Sequence, residues 1–339
     1  MGKVKQRPRR KLTPMHKYIG LLLFCIIGIG VAFFAPRCRA AVTPDFDSMR
    51  AWNDLVYQVK AGYRIPDTTT HRNVRDWLVQ QLASCVKDVQ LQPFTVHANG
   101  KDIPMWNIIA FIPGTGQGKA DLVLLCAHWD SRPIAEHELL PADQVLPIPG
   151  ANDGASGVAV LLEIARQLKA HPIARQVEIV LYDGEDYAWP GEDLNHVLDN
   201  MLLGSGYFAA HPGKHKPDWG ILLDMIGDKD LDIYREPSSE LNAKAVNDRI
   251  FRAAHELGFM GSRGVSGFYD TMLTGDDGTP ETIEDDHTPL NKAGIPTADI
   301  IDFHYPAWHT RKDDVAHCSA NSLRIVGQTV LYAISAQAD

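Results

Sequence analysis

Cysteine is scarce in this chain, with five in 339 residues. Cys25 lies in an apolar N-terminal run and Cys38 just beyond it, so only Cys85, Cys126 and Cys318 belong to the rest of the chain. That excludes a disulfide scaffold and leaves room for one pair and one unpaired thiol. No internal repeat or biased tract interrupts the sequence, and 27 glycines and 21 prolines are ordinary for a globular protein, which excludes collagen-like and low-complexity chains. With 45% hydrophobic and 22% charged residues, a sizeable buried core is expected. Basic charge is missing from the body. Residues 1 to 40 hold nine Lys/Arg and no Asp/Glu, which leaves 24 basic against 42 acidic residues, or a net of −18, for the remainder. A body that acidic is not expected to bind nucleic acid, since neutralising phosphates needs a basic surface.

The basic head, residues 1 to 17, is followed by an uncharged run of 19 residues, Tyr18 to Pro36, containing LLLFCIIGIGVAFF. At about 1.5 Å per residue it just crosses a bilayer core. The positive-inside rule keeps the head in the cytosol and sends the body across the membrane, to a periplasmic, lumenal or extracellular side. Two readings stand: an uncleaved signal-anchor, or a signal peptide cut near Cys38-Arg39-Ala40. Residues 37 to 46 read as a linker and 47 to 339 as one catalytic domain, expected to act as a monomer.

Two helices open the domain. Met49, Trp52, Leu55, Val56 and Val59 recur at helical spacing, and Val74, Leu78 and Leu82 repeat it after a turn. Short apolar runs then alternate with amphipathic segments: NIIAFI, LVLLCA, a helix from Ala155 to Ala170, VEIVLY, GILLDMI, a helix from Leu241 to Leu257, ADII, and a helix from Asn321 to Gln337. That alternation predicts an α/β chain with a mostly parallel sheet covered on both faces. The residues at the ends of the runs are more telling. LVLLCA leads into His128-Trp129-Asp130, VEIVLY into Asp183-Gly184-Glu185-Asp186, GILLDMI contains Asp224, and ADIIDFHYPAW runs into His309. Open α/β sheets place ligands beyond the carboxyl ends of their strands, which is where these residues fall.

The candidates are His128, Asp130, Asp153 in GANDGASG, Glu185, Asp186, Asp224, Asp285, Asp286 and His287 in IEDDHTP, and His309. Zinc takes His nitrogen and carboxylate oxygen, and a catalytic site needs three protein ligands. No local spacing here is as diagnostic as H-E-x-x-H, because the donors come from separate loops. Taken singly, each has a plainer role: Asp153 as the cap of the following helix, Glu185-Asp186 as a solvated turn, Asp285-Asp286 as a cap near His287, and Trp189 and Trp308 as packing residues. Taken together, those roles would put carboxylates at one strand end after another by coincidence.

CAHWDSRP, GANDGASGVAVLLEIARQL, YDGEDYAWPGED, LLDMIGD, IEDDHTPLNKAGIP and PAWHTRKDD, in that order, resemble the glutaminyl cyclases and, more distantly, the zinc aminopeptidases of the same clan. The resemblance covers roughly residues 50 to 335 and implies a three-layer α/β/α sandwich around a mixed, mostly parallel sheet. It implies one zinc held by Asp153, Asp186 and His309, with Glu185 as general acid/base assisted by Asp285. Trp308 and Trp189 would line the substrate pocket together with His287. The second ligand is often Glu in that family and is Asp186 here. The aminopeptidases use two zincs, the second held by the counterparts of His128, Asp153 and Asp224. The resemblance therefore implies cyclisation of the N-terminal glutamine of peptides or proteins with release of ammonia, with aminopeptidase hydrolysis from a free N-terminus as the alternative and a non-catalytic binding ectodomain after it. Crowding by Asp186, Asp285 and Asp286 is expected to raise the pKa of Glu185, against any bound metal.

Overall fold

The computed structural model describes residues 44–98, 100–116, 121–187 and 201–336. The segment 18–36 and Trp189 therefore lie outside the described residues. Among the described residues no helix is long and apolar enough to cross a membrane.

Helices α1 (Ser48–Ala61) and α2 (Thr69–Cys85) come first, as their apolar spacing predicts. Asp47 caps α1 by accepting from the amides of Met49 and Arg50, and Thr68 caps α2 through His71 N. Strands β1 (Asp88–Ala98), β2 (Lys101–Ile112), β3 (Leu122–His128), β4 (Gln176–Tyr182), β5 (Trp219–Asp224) and β8 (Thr297–Ile301) form one sheet in the order β1-β2-β4-β3-β5-β8. Strands β4, β3, β5 and β8 are parallel, while β1 and β2 form an antiparallel hairpin, with β2 antiparallel to β4. The sheet is thus mixed and mostly parallel, as expected. Strand β3 is buried along its whole length, so it reads as an unbroken apolar run. Edge strand β1 is half exposed and carries Pro93, which an edge tolerates, and it offered no such run to detect.

Alternate residues of the central strands feed two cores. Val123, Leu125 and Ala127 of β3 face α1, α2, α3 (Ala155–Ala170), α6 (Lys244–Glu256) and α8 (Ala320–Ser335). Leu124 and Cys126 face the opposite layer, where α4 (Leu203–Ala210) supplies Phe208 and α7 (His287–Lys292) supplies Leu290. Helix α3 spans the range its sequence predicts. It approaches β5 so closely that a Cβ on Gly157 would lie 2.2 Å from the Leu223 carbonyl oxygen, which sets its first turn over the strand ends.

Three expectations change. The helix expected over 241–257 is two: α5 (Pro237–Asn242), capped by the Glu236 carboxylate, and α6, broken from it at Ala243, whose φ of −137° is not helical. Strands β6 (Asp232–Arg235) and β7 (Gly267–Met272) make a small second sheet that no apolar run announced. Pro44 and Phe46, placed in the linker by the sequence, are already tied to α8 through Gln328. Cys85, Cys126 and Cys318 are free thiols.

Glu178 of β4 is buried, with Oε2 lacking any partner, and burial pushes its carboxyl from 4.5 up to about 7. A folded-state pKa above the unfolded one means the folded protein binds the extra proton, so stability is lost as pH rises through that window. Glu178→Gln should match the wild type near pH 4.5 and become more stable than it as pH approaches 7, by up to about 3 kcal/mol at ~1.4 kcal/mol per unit. Melting temperatures of the two proteins across that range test this, and a constant difference would refute it.

Candidate active site

Strand ends deliver most of the site. His128 closes β3 and Asp224 closes β5, while Asp153 lies in the turn Gly150–Gly154 that enters α3. That turn needs left-handed backbone: Gly150 has φ +65° and Gly154 φ +89°, and a Cβ on Gly154 would meet the Asp130 carbonyl oxygen at 2.6 Å. Gly154, with no side chain, is the cap residue of α3, so Asp153 does not serve as its cap. Instead the turn is held from outside. Buried Arg64 donates to the carbonyls of Gly150 (2.6 Å) and Trp129 (2.9 Å), and Asp313 accepts from the amides of Asn152 (2.8 Å) and Asp153 (3.2 Å). Asp130 does the same for the next loop, accepting from the amides of Glu185 (3.3 Å) and Asp186 (3.2 Å).

The donors converge as two groups that share Asp153. His128, Asp153 and Asp224 place ligand atoms within 4.8 Å of one another, and so do Asp153, Asp186 and His309; all are buried. His128 Nε2 lies 3.1 Å from Asp153 and 3.2 Å from Asp224, and its Nδ1 lies 3.4 Å from Asp130. His309 Nε2 lies 3.8 Å from both Asp153 and Asp186. Buried Asp186 Oδ2 has no hydrogen-bond partner, an expensive arrangement for a carboxylate unless a cation completes it. Histidine nitrogen and carboxylate oxygen in these numbers suit zinc. His309 itself adopts φ +52°, and Met225, next to Asp224, φ +45°. Such backbone costs of order 1–3 kcal/mol per residue and persists only where the surroundings impose it.

Glu185 is buried beside these donors, its Oε2 3.9 Å from His128 Nδ1. Burial lifts its pKa well above the carboxylate range; His128 opposes this, and the charges of Asp186, Asp285 and Asp286 add to it. Asp285 is pushed to about 7 by burial and by the charge of Asp224. The expected rise at Glu185 is therefore present, with burial as its leading cause.

A cavity of about 410 Å³ opens beside His309, walled by Trp308, Phe303, His137, Met201 and Ile283. Trp308 lines it. His287 does not: its ring is fully buried, 3.4 Å from Glu236 and 3.7 Å from Asp299, because α7 packs it against those carboxylates and away from the cavity. With Asp285 and Asp299 it forms a third buried group of metal-competent residues. Asp183 also turns away, accepting from Trp106 N and facing His71 Nε2 at 2.8 Å. Residues that sequence reading missed are Arg64, Asp313, Arg132 and Glu136. Arg132 and Asp313 fall inside CAHWDSRP and PAWHTRKDD without standing out there, and the other two carry no local signal.

The sequence profile of peptidase family M28 matches residues 107–334. Aminopeptidase YwaD of Bacillus subtilis is 26% identical over 230 residues, which is 63% of this chain but 40% of that relative's length. Glutaminyl-peptide cyclotransferase of Drosophila melanogaster is 28% identical over 272 residues, 75% of this chain and 71% of the relative. Among solved structures, a leucine aminopeptidase precursor from Bacteroides thetaiotaomicron superposes with a TM-score of 0.78 at 32% identity, covering 88% of this chain and all of that one. Glutaminyl cyclase from Tannerella forsythia gives 0.78 at 33% identity over 87% of this chain and all of that one.

Because Asp153 belongs to both donor groups, Asp153→Asn should strip nearly all zinc from the dialysed protein, whereas Asp224→Asn should leave the Asp186–His309 site loaded. Elemental analysis after dialysis decides this, and full zinc content in Asp153→Asn would rule the assignment out.

Proposed function

The chain belongs to peptidase family M28, and on that premise we propose that it is a zinc-dependent glutaminyl-peptide cyclotransferase. It closes the N-terminal glutamine of peptides or proteins to pyroglutamate and releases ammonia. The observation that supports this is the pair of buried carboxyls, Glu185 and Asp285, whose pKa values burial raises, set beside a metal-competent donor set that reaches a tryptophan-walled cavity through His309. Asp153, Asp186 and His309 would hold zinc, which when bound supplies Lewis-acid polarisation of the side-chain amide carbonyl.

The α-amine nitrogen bonds to the side-chain amide carbon, and the amide C–N bond breaks. Glu185 takes the proton that the amine gives up and returns it to the leaving nitrogen, which departs as ammonia. General acid/base work of this kind contributes about 10² to 10⁴ in rate. A raised pKa suits both halves of that task, because the carboxyl must accept a proton and then release it near neutrality. Asp285, its pKa raised to about 7 by burial and by the charge of Asp224, assists as the neighbouring carboxyl. Trp308 offers an aromatic wall against which the glutamine side chain packs, leaving the rest of the peptide outside.

One observation favours a second reading. The His128, Asp153 and Asp224 group is complete, so a two-zinc aminopeptidase using the same Glu185 as base is the alternative. The same proposal carries the basic head and the segment 18–36 as an export signal or anchor, with the body on the far side of the membrane as a monomer.

Incubation of the purified protein with a peptide beginning in Gln should release ammonia and lower the peptide mass by about 17 Da, the mass of the ammonia lost in ring closure. Glu185→Gln should lose that turnover, by about 10² or more, and keep its zinc. Free amino acids without ring closure would establish the aminopeptidase instead.

A further inference from the structure

We infer that Glu136 is the positioning residue that orients His309 as a metal ligand, and that Arg132 fixes Glu136 while leaving Asp186 one free oxygen. His309 Nδ1 lies 2.9 Å from Glu136 Oε1, and its Nε2 faces Asp153 and Asp186. A carboxylate at Nδ1 selects the tautomer that carries its proton there and turns the Nε2 lone pair toward the cation site. No helix or strand fixes this ring, because His309 stands on left-handed backbone in the loop after β8. The hold comes from the facing loop: Glu136 takes the side chain, and the next amide, His137 N, donates to the His309 carbonyl at 3.2 Å.

Glu136 is itself on irregular chain, so something must fix it in turn. Arg132 does so, its Nε donating to both carboxylate oxygens at 2.8 and 2.9 Å. The same guanidinium donates through Nη1 to Asp186 Oδ1, so one planar group spans the orienting carboxylate and a ligand carboxylate. Asp186 Oδ1, the oxygen that faces His309 Nε2 at 3.8 Å, is thereby held by Arg132, while its Oδ2 stays buried and without a partner. Lysine at position 132 would keep the charge and lose this double reach.

The inference rests on metal binding by Asp153, Asp186 and His309 and not on the reaction catalysed there, so it holds for a cyclase and for an aminopeptidase alike. The test is zinc affinity of the whole protein by competition with a chromogenic chelator, together with the visible absorption of the cobalt(II)-substituted protein and the melting temperature of the metal-free form. Glu136→Gln should bind zinc about 10- to 100-fold more weakly, the range usual for loss of such a partner. Its cobalt spectrum should shift, and its metal-free melting temperature should stay at the wild-type value. Arg132→Lys should lose affinity too, and the double variant should lose less than the product of the two single losses, because both act in part through the same ring. Wild-type affinity in Glu136→Gln, or losses that multiply in the double variant, would overturn the inference. A wild-type protein that binds no zinc would overturn the metal site itself, and zinc binding without ring closure would overturn only the cyclase reading. If Glu136→Gln unfolds, Arg132→Lys carries the same comparison.

Discussion

Mutual repulsion among carboxylates buried at one end of a mixed sheet is the constraint that the rest of this molecule answers. Asp130, Asp153, Asp186, Asp224, Asp285 and Asp286 lie almost wholly out of water, along with Glu185. Each would shed its charge unless something nearby stabilised it. Backbone amides and guanidiniums supply part of that: Asp130 and Asp313 accept pairs of loop amides, Arg132 reaches Asp186, and Arg64 ties the turn that carries Asp153. The oxygens they leave unanswered define the chemistry. Oxygens of Asp186, Asp285 and Asp286 still lack partners, and a divalent cation together with shared protons would answer them.

The same constraint explains which residues are structural in spite of their type. Asp183 and Glu185 are two residues apart, yet Asp183 pairs with His71 beneath the sheet end while Glu185 faces the donors. Asp313 sits below Asp153 and never reaches the cavity. It is pushed to about 7 by burial and by the charge of Asp153, while the two amides it accepts from pull it back. Carboxylates are thus used twice over here, as site groups and as scaffolding that aims them.

Much of this was legible in the sequence because strand ends write themselves plainly: an apolar run followed by His128 or Asp224 gives both the element and the address. Helix α3 was equally clear, since its apolar face is continuous and its limits coincide with the predicted ones. Strand β1 was not, because an edge strand alternates Gln and Thr with half-buried residues and leaves no run to see. Glu136 was invisible for a different reason. Its role exists only through a contact with His309, far along the chain, and no pattern around residue 136 encodes it. The sequence does not tell where His287 points, because adjacency to Asp285 and Asp286 says nothing about which way a short helix turns its first side chain.

The donors are dispersed from His128 to His309, at separate strand ends and loops, and strands β4, β3, β5 and β8 must all pair before they meet. Contacts that distant in sequence form late, after the chain has met the entropic cost of closing the intervening loops. No partly folded chain would therefore offer zinc the complete set. A zinc ion held by these donors would be captured only once the sheet has formed, and it would then hold together segments that arrived there separately.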